Sequence, residues 1–379
     1  MRRLLALPAL AAVAAAALAF PGGAVAGCPS RYAAVQRGLE RLVAAPGGPV
    51  GAIATLYRDG RTIVLSAGRA STARPGAPGL HDHMRIASVA KAFNGAVALH
   101  LVQEGLLGLD DTIGRLLPGM PGAWSAVAVR QMLDHTSGLP DYTKSEGARK
   151  HLTTNPRGYV SPTQLIDWVR TDGTVFTPGS RYEYSNTDNI VIGLIAEHLT
   201  GESYAQLLST IVSRPAGLTQ TTFPTVRLSL PKPFIHGYEV SPGKPPEDIT
   251  SVFSPSGAWA SGGIVSTPAD AGAFVRAYLG RRFFGKAVQR QQLRFVRGSS
   301  DPPGPGTNSA GLAIFRYQTR CGSVYGHTGG LPGYSQWVAA TADGRRSVTM
   351  TLNISPPTGP LLQQLRSVQT SAVCALLGR

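Results

Sequence analysis

Three short stretches carry side chains whose types and spacing suit acyl transfer. The first is RIASVAKAF, Arg85 to Phe93, where Ser88 and Lys91 stand three residues apart in an otherwise apolar segment. If the segment is helical, that spacing puts hydroxyl and amine on one face, one turn apart. Ser88 then sits near a helix N-terminus, where free backbone N–H groups and the helix dipole favour developing negative charge. An apolar setting disfavours the ammonium, so the Lys91 pKa falls. A lysine near neutrality can take the serine proton and make a nucleophile. Alone, the spacing is weak. Ser241-Pro-Gly-Lys244 repeats it in a Pro/Gly loop that no helix can align, and a capping serine beside a lysine with its stem buried would look the same.

Two further stretches follow in chain order. RYEYSNTDN contains Tyr184-Ser185-Asn186 directly before a predicted helix. In extended backbone, residues two apart point the same way, so the Tyr184 hydroxyl and Asn186 amide could both face a cleft. A turn with a helix-capping asparagine is the plainer reading. SVYGHTGGLPGY contains His327-Thr328-Gly329-Gly330, a strand ending in two glycines that would let a substrate backbone approach closely. A glycine turn beside a core histidine fits equally. Trp259, in SGAWASGG, either lines the cleft or packs in the core. His81-Asp82-His83 lacks the helical spacing of a metal-binding pair and predicts no metal site.

The elements that must position these residues are legible from periodicity. Tyr32 to Ala45 predicts a helix. Val50 to Tyr57 and Thr62 to Gly68 predict a hairpin around Asp59-Gly60. Ser335 to Thr341 and Ser347 to Ile354 repeat the pattern around Asp343-Gly344, and Pro360 to Leu377 predicts a terminal helix with proline in its first turn. Both chain ends thus supply helix and antiparallel strand, most simply to one sheet. The middle differs: Ala92 to Leu107, Val127 to Leu133, Pro162 to Arg170, Asn189 to Leu199 and Tyr204 to Ile211 predict helices between Gly/Pro loops. The expected fold is α/β, an antiparallel sheet flanked by helices (28–87 and 256–379) with an all-helical region (88–255) inserted. The functional site lies in the cleft between them. Arg297 to Gly306, rich in Pro, Gly and Ser, predicts a mobile loop.

Composition bounds the class. With 379 residues, 43% of them hydrophobic, the chain can bury a large core; 45 Gly and 29 Pro mark it as loop-rich. Met1-Arg2-Arg3, the apolar stretch Leu4 to Phe20 and Ala24-Val25-Ala26 predict an export signal over 1–26, hence a secreted protein. Arg2-Arg3 before Leu4-Leu5 leaves the twin-arginine route open beside the general one. Val25-Ala26-Gly27-Cys28 is similar to a lipobox, so a lipid anchor at Cys28 is the alternative to free secretion. The net charge of +15 is scattered without a Lys/Arg run, which argues against nucleic acid and is compatible with an anionic cell wall. Three cysteines suit an oxidising compartment with one bridge. Cys321 precedes a predicted strand and Cys374 lies in the terminal helix, and packing that helix on the sheet would pair them. No phosphate-binding glycine loop is present, and we expect no cofactor and a monomer.

Together, the ordered S-x-x-K, Y-S-N and H-T-G stretches resemble the serine β-lactamase and penicillin-binding protein superfamily from about Val50 to the C-terminus. Within it the chain is most similar to the exocellular actinomycete D-alanyl-D-alanine carboxypeptidases, which share Y-S-N, histidine in the third motif, CG…SVYGHTG and a terminal-helix cysteine. LDHTSGLPDY, with His135, is also typical and reads as a structural turn. The resemblance implies Ser88 as the acylated nucleophile and Lys91 as its base. It implies that Tyr184 relays a proton to the leaving amine, that Asn186 holds Lys91 and the substrate amide, and that His327 tunes the site charge. Thr328 would bind substrate through its hydroxyl or backbone, alongside Gly329, and the N–H groups of Ser88 and Gly330 would form the oxyanion hole. Two positions depart from those carboxypeptidases. Gly330 stands where they have a threonine, and Phe315 stands where an arginine grips the substrate carboxylate, with Arg316 expected on the opposite strand face. The expected function is a D-alanyl-D-alanine carboxypeptidase-like hydrolase acting on peptidoglycan peptides and acylated by β-lactams. The alternatives are an esterase, D-aminopeptidase or D-peptide amidohydrolase whose substrate carboxylate is masked, a β-lactamase, and a non-catalytic cell-wall or β-lactam sensor.

Overall fold

A computed structural model of the protein describes residues 30–241 and 243–379. The predicted export signal and Cys28 lie outside the described residues. The first hairpin joins β1 (Gly51–Arg58) to β2 (Arg61–Gly68). Asp59 and Gly60 between them both have positive φ, 53° and 77°, as a two-residue turn of the type that matches strand twist requires. The C-terminal part supplies β3 (Val296–Arg297), β4 (Thr307–Gly311), β5 (Ile314–Thr319), β6 (Gly322–Leu331), β7 (Tyr334–Ala340) and β8 (Ser347–Leu352). These eight strands form one sheet in the order β2-β1-β8-β7-β6-β5-β4-β3, antiparallel throughout. The chain's two ends meet where β1 pairs with β8, Ala52 opposite Leu352.

Strand periodicity divides the core into two layers. Ala52, Ala54 and Leu56 of β1, with Val348, Met350 and Leu352 of β8, pack against Val35 and Leu39 of α1 (Ser30–Ala44). Leu365, Val368 and Val373 of the terminal helix (Gly359–Leu377) complete that layer, and Cys374 of this helix bridges to Cys321 with Cα atoms 5.1 Å apart, as expected. The opposite face, with Ile53, Val338 and Ala340, carries the helical layer. At its centre runs α2 (Ala90–Gln103), in which every residue from Ala90 to Leu99 is buried. That explains why its apolar pattern has no polar stripe: it is surrounded by sheet and helices together. Beside it lies α3 (Thr187–Thr200).

Several features differ from the sequence reading: the region expected to be all-helical holds a short strand pair, Tyr238–Glu239 with Glu247–Asp248, β3 and β4 were not expected, and two further differences matter more. A helix over Pro268–Leu279 packs on β7 and β8. Its signal was present: Thr267 caps it through a hydrogen bond from Asp270 N (3.2 Å), with Pro268 in the first turn. The stretch expected to be a mobile loop begins inside β3. It is tied down by Arg366, whose guanidinium donates to the carbonyls of Gly304 (2.9 Å) and Gly306 (2.6 Å).

Candidate active site

Ser88 sits in a single 3-10 turn, Ala87–Val89, that feeds directly into α2. The turn is sharp: Ala87 has φ +51°, a left-handed conformation costly for a residue with a Cβ. It is held by flanking bonds, since Ile86 N donates to Ile264 O (3.1 Å) and Gln336 Nε2 to Arg85 O (3.0 Å). Ser88 opens on a cavity of about 530 Å³ walled by Tyr184, Asn186, Ser261, Asp301 and Gly330, with an apolar side built from Leu152, Trp168 and Phe253.

Lys91 lies one turn further along and is 1% exposed. Its Nζ is 3.0 Å from Ser88 Oγ, 2.8 Å from Asn186 Oδ1 and 2.8 Å from Ser261 O. Burial lowers its pKa from 10.5 to about 7, against the pull of the Asp141, Asp188 and Asp301 carboxylates. Asn186 stands at the N-cap position of α3, yet its side chain makes no capping bond. It reaches Lys91 with its oxygen, and its amide nitrogen donates to the Asp141 carboxylate, 3.0 and 3.2 Å from the two oxygens, a span one N–H covers. Asp141 therefore fixes which way the Asn186 amide faces.

Tyr184 also faces Ser88 and Lys91. Lys91 Nζ is 5.1 Å from its ring centre, and its hydroxyl is buried without a hydrogen-bond partner among the described residues. Burial pushes its pKa well above 10, while the nearby Ser88 hydroxyl acts in the other direction. The ring rests on His135, centroids 4.4 Å apart. His135 is a structural residue, as expected: Nδ1 is 2.7 Å from Asp188 Oδ2, and Ser137 donates to the other oxygen (2.5 Å). Burial raises the Asp188 pKa and lowers that of His135, which stands behind Tyr184.

The third stretch forms the far wall. β6 pairs with β5 only as far as Gly326, opposite Phe315, so from His327 onward that edge faces the Ser88 turn. A Cβ on Gly329 would stand 2.5 Å from Ile86 O and 3.1 Å from Ser88 N, so glycine is what lets this edge approach the nucleophile. Gly330 lines the cavity, and a Cβ there would meet Pro356 at 2.3 Å.

Three expectations need correction. Thr328 does not offer its hydroxyl to a substrate, because that hydroxyl donates to Pro302 O (2.6 Å); only its backbone remains. His327 is buried and its pKa is lowered by burial to about 3, so it is neutral and adds no positive charge. Its Nδ1 is 2.5 Å from Thr328 O. Trp259 does not line the cleft. It is 5% exposed and packs against Tyr204 (ring centroids 5.1 Å) and Phe223, while its neighbours Ser261 and Gly262 reach the cavity. The reading of β5 holds. Phe315 is 1% exposed, edge-on to His327 at 4.9 Å, and Arg316 turns the other way over Phe295. His81, Asp82 and His83 each make separate local contacts, to Gln220, Gly79 N and Pro233 O.

The family model described as Beta-lactamase matches residues 39–369. The chain is similar to penicillin-binding protein 4* of Bacillus subtilis (strain 168), 28% identical over 284 residues, which is 71% of this chain and 60% of that protein. The chain thus spans less than two thirds of that relative's length. Among solved structures it resembles a D-stereospecific amidohydrolase from Streptomyces sp., at 29% identity and TM-score 0.77, covering 89% of this chain and 98% of the other. It also resembles a D-amino acid amidase from Ochrobactrum anthropi SV3 complexed with L-phenylalanine amide, at 27% identity and TM-score 0.77, covering 91% and 97%.

Proposed function

Because the chain belongs to the Beta-lactamase family of serine hydrolases, we propose that it cleaves amides of D-amino acids or D-peptides whose carboxylate is masked, through an acyl-enzyme on Ser88. The observation that carries this reading is on β5. Phe315 is buried at the position to which the resemblance assigns a carboxylate-gripping arginine, Arg316 points away, and neutral His327 supplies no charge in its place. A substrate ending in a free carboxylate would find no cation there to replace its water. That favours the amidohydrolase alternative over the D-alanyl-D-alanine carboxypeptidase. The similarity to a D-stereospecific amidohydrolase and a D-amino acid amidase supports the same choice. The wall of Leu152, Trp168 and Phe253 suits an apolar acyl side chain.

The hydrogen bonds around Lys91 suggest how the chemistry runs. A neutral amine has two N–H donors and one lone pair. Asn186 Oδ1 and Ser261 O only accept, so they take the two N–H groups and leave the lone pair for the proton of the Ser88 hydroxyl, whose Oγ is 3.0 Å from Nζ. Ser88 Oγ then attacks the amide carbon as Lys91 takes its proton. Backbone N–H groups of Ser88 and Gly330 are the donors we assign to the oxyanion. The raised pKa of Tyr184 keeps it a phenol, suited to passing a proton from Lys91 to the departing nitrogen and unsuited to acting as a standing phenolate base. The amine leaves, water attacks the Ser88 ester, and the acid is released with the serine restored.

The test is turnover of D-phenylalanine amide against an acyl-D-alanyl-D-alanine with a free carboxylate, with Ser88→Ala alongside. We expect the amide to be preferred and Ser88→Ala to be inactive on both. Preference for the free carboxylate would return the assignment to a carboxypeptidase, and full activity in Ser88→Ala would remove the acyl-enzyme.

A further inference from the structure

One basic and one acidic side chain, Arg85 and Asp301, line the Ser88 cavity among the described residues. Arg85 is 7% exposed, with Nη2 donating to Leu228 O (2.7 Å) and Nε to Thr250 O (3.4 Å). Asp301 is the opposite case. It is exposed, it lines the cavity, and its carboxylate makes no ion pair or hydrogen bond among the described residues. It is a negative charge presented to whatever enters.

Its position is set from both sides. The Tyr182 hydroxyl donates to Ser299 O, and the Thr328 hydroxyl donates to Pro302 O. The segment 299–302 therefore spans from the Tyr182–Tyr184 stretch to the free edge of β6, and Asp301 stands between these two ties on the cavity wall. Asp301 is among the charges that act on both Lys91 and Tyr184, whereas Arg85 is not among the main ones for either. Under the mechanism above, the Tyr184 side is where the amine departs.

We propose that Asp301 forms an ammonium-binding subsite on the leaving-group side of the cleft, so that the enzyme prefers amides whose departing amine carries a second, positively charged amine. This rests on the acyl-enzyme reading, which supplies the leaving-group side. It goes beyond that reading by giving the leaving group a charge. The subsite binds a diamine or diamino-acid leaving group and repels one ending in a carboxylate. The pair forms at the cavity rim, so it responds to salt.

The experiment uses three amides of D-phenylalanine, with ethylenediamine, propylamine or glycine as the leaving amine. They present a cation, its neutral near-isostere and an anion. The quantity read is the ratio of kcat/KM values within one enzyme, which cancels any common effect of a variant on Lys91. Where turnover of an amide is slow, the ratio of inhibition constants against hydrolysis of p-nitrophenyl acetate reads the charge preference in binding alone. We expect the wild type to prefer the cationic over the neutral amide by about fivefold, the worth of a partly exposed pair in a cleft. Asp301→Asn should bring that ratio to about one, and added salt should shrink it in the wild type only. A wild-type ratio of one, or an unchanged ratio in Asp301→Asn, overturns the subsite. If the Asp301→Asn effect follows N-acetylation of the D-phenylalanine instead, the leaving-side placement is wrong. Ester hydrolysis that survives in Ser88→Ala would sink the acyl-enzyme reading, a different failure from loss of the charge ratio alone.

Discussion

If neutral Lys91 is the base, activity must follow its titration. With a pKa of about 7, the reactive fraction is about one-eleventh at pH 6, half at pH 7 and ten-elevenths at pH 8. So kcat/KM for a neutral ester should climb roughly tenfold from pH 6 to 8 and then level, with no fall from Tyr184, whose pKa lies well above 10. Asp141 supplies a directed perturbation. Its carboxylate favours the Lys91 ammonium, so Asp141→Asn should move the midpoint to lower pH while keeping an oxygen to accept from Asn186. The same shift has a stability consequence. An unfolded lysine titrates near 10.5, so between about pH 7 and 10.5 the unfolded chain binds more protons and stability rises with pH. Below pH 7 the full cost of charging the buried amine is about 5 kcal/mol. Lys91→Met removes that cost but leaves Ser261 O and Asn186 Oδ1 without a donor, at about 1–3 kcal/mol for each group so stranded. The variant should therefore be inactive yet gain stability relative to wild type as pH falls from 10.5 to 7. The assays are a pH profile at constant ionic strength and urea unfolding at several pH values. A midpoint near 10, or one that moves to higher pH in Asp141→Asn, refutes the argument.

Two further predictions follow from close contacts. Gly329→Ala should lower kcat at least tenfold, because a Cβ 2.5 Å from Ile86 O must push the β6 edge away from Ser88, and an oxyanion donor is worth about 10²–10³ in kcat. Wild-type kcat in that variant would mean the edge is not part of the site. Cys321→Ser should cost about 4 kcal/mol in unfolding free energy, since the bridge closes a loop spanning 53 residues, yet leave kcat of the folded enzyme unchanged. Cys321 lies at the opposite end of β6 from Gly330, so a large kcat loss without a stability loss would contradict this division.

What the sequence disclosed depended on the range of the signal. Ser88 and Lys91 were legible because they act within one turn, where spacing alone fixes their distance. The hairpin at Asp59-Gly60 was legible because two left-handed residues leave few alternatives. β3 and β4 were not, since a two-residue strand and the small, polar run Thr307–Gly311 carry no alternation to detect. Asp141 was overlooked for another reason: only the packed fold brings its charge near Lys91 and its carboxylate to Asn186, a contact across 45 residues. Thr328 could have been read correctly. In a strand, neighbouring side chains point to opposite faces, so His327 and Thr328 could not both direct their side chains at one substrate. Alternation applied correctly to Phe315 and Arg316 assigned their faces, and the same rule leaves the backbone as the element that His327 to Gly330 share. That is why this wall is built from glycine at 329 and 330, and why its chemistry must come from N–H and C=O groups.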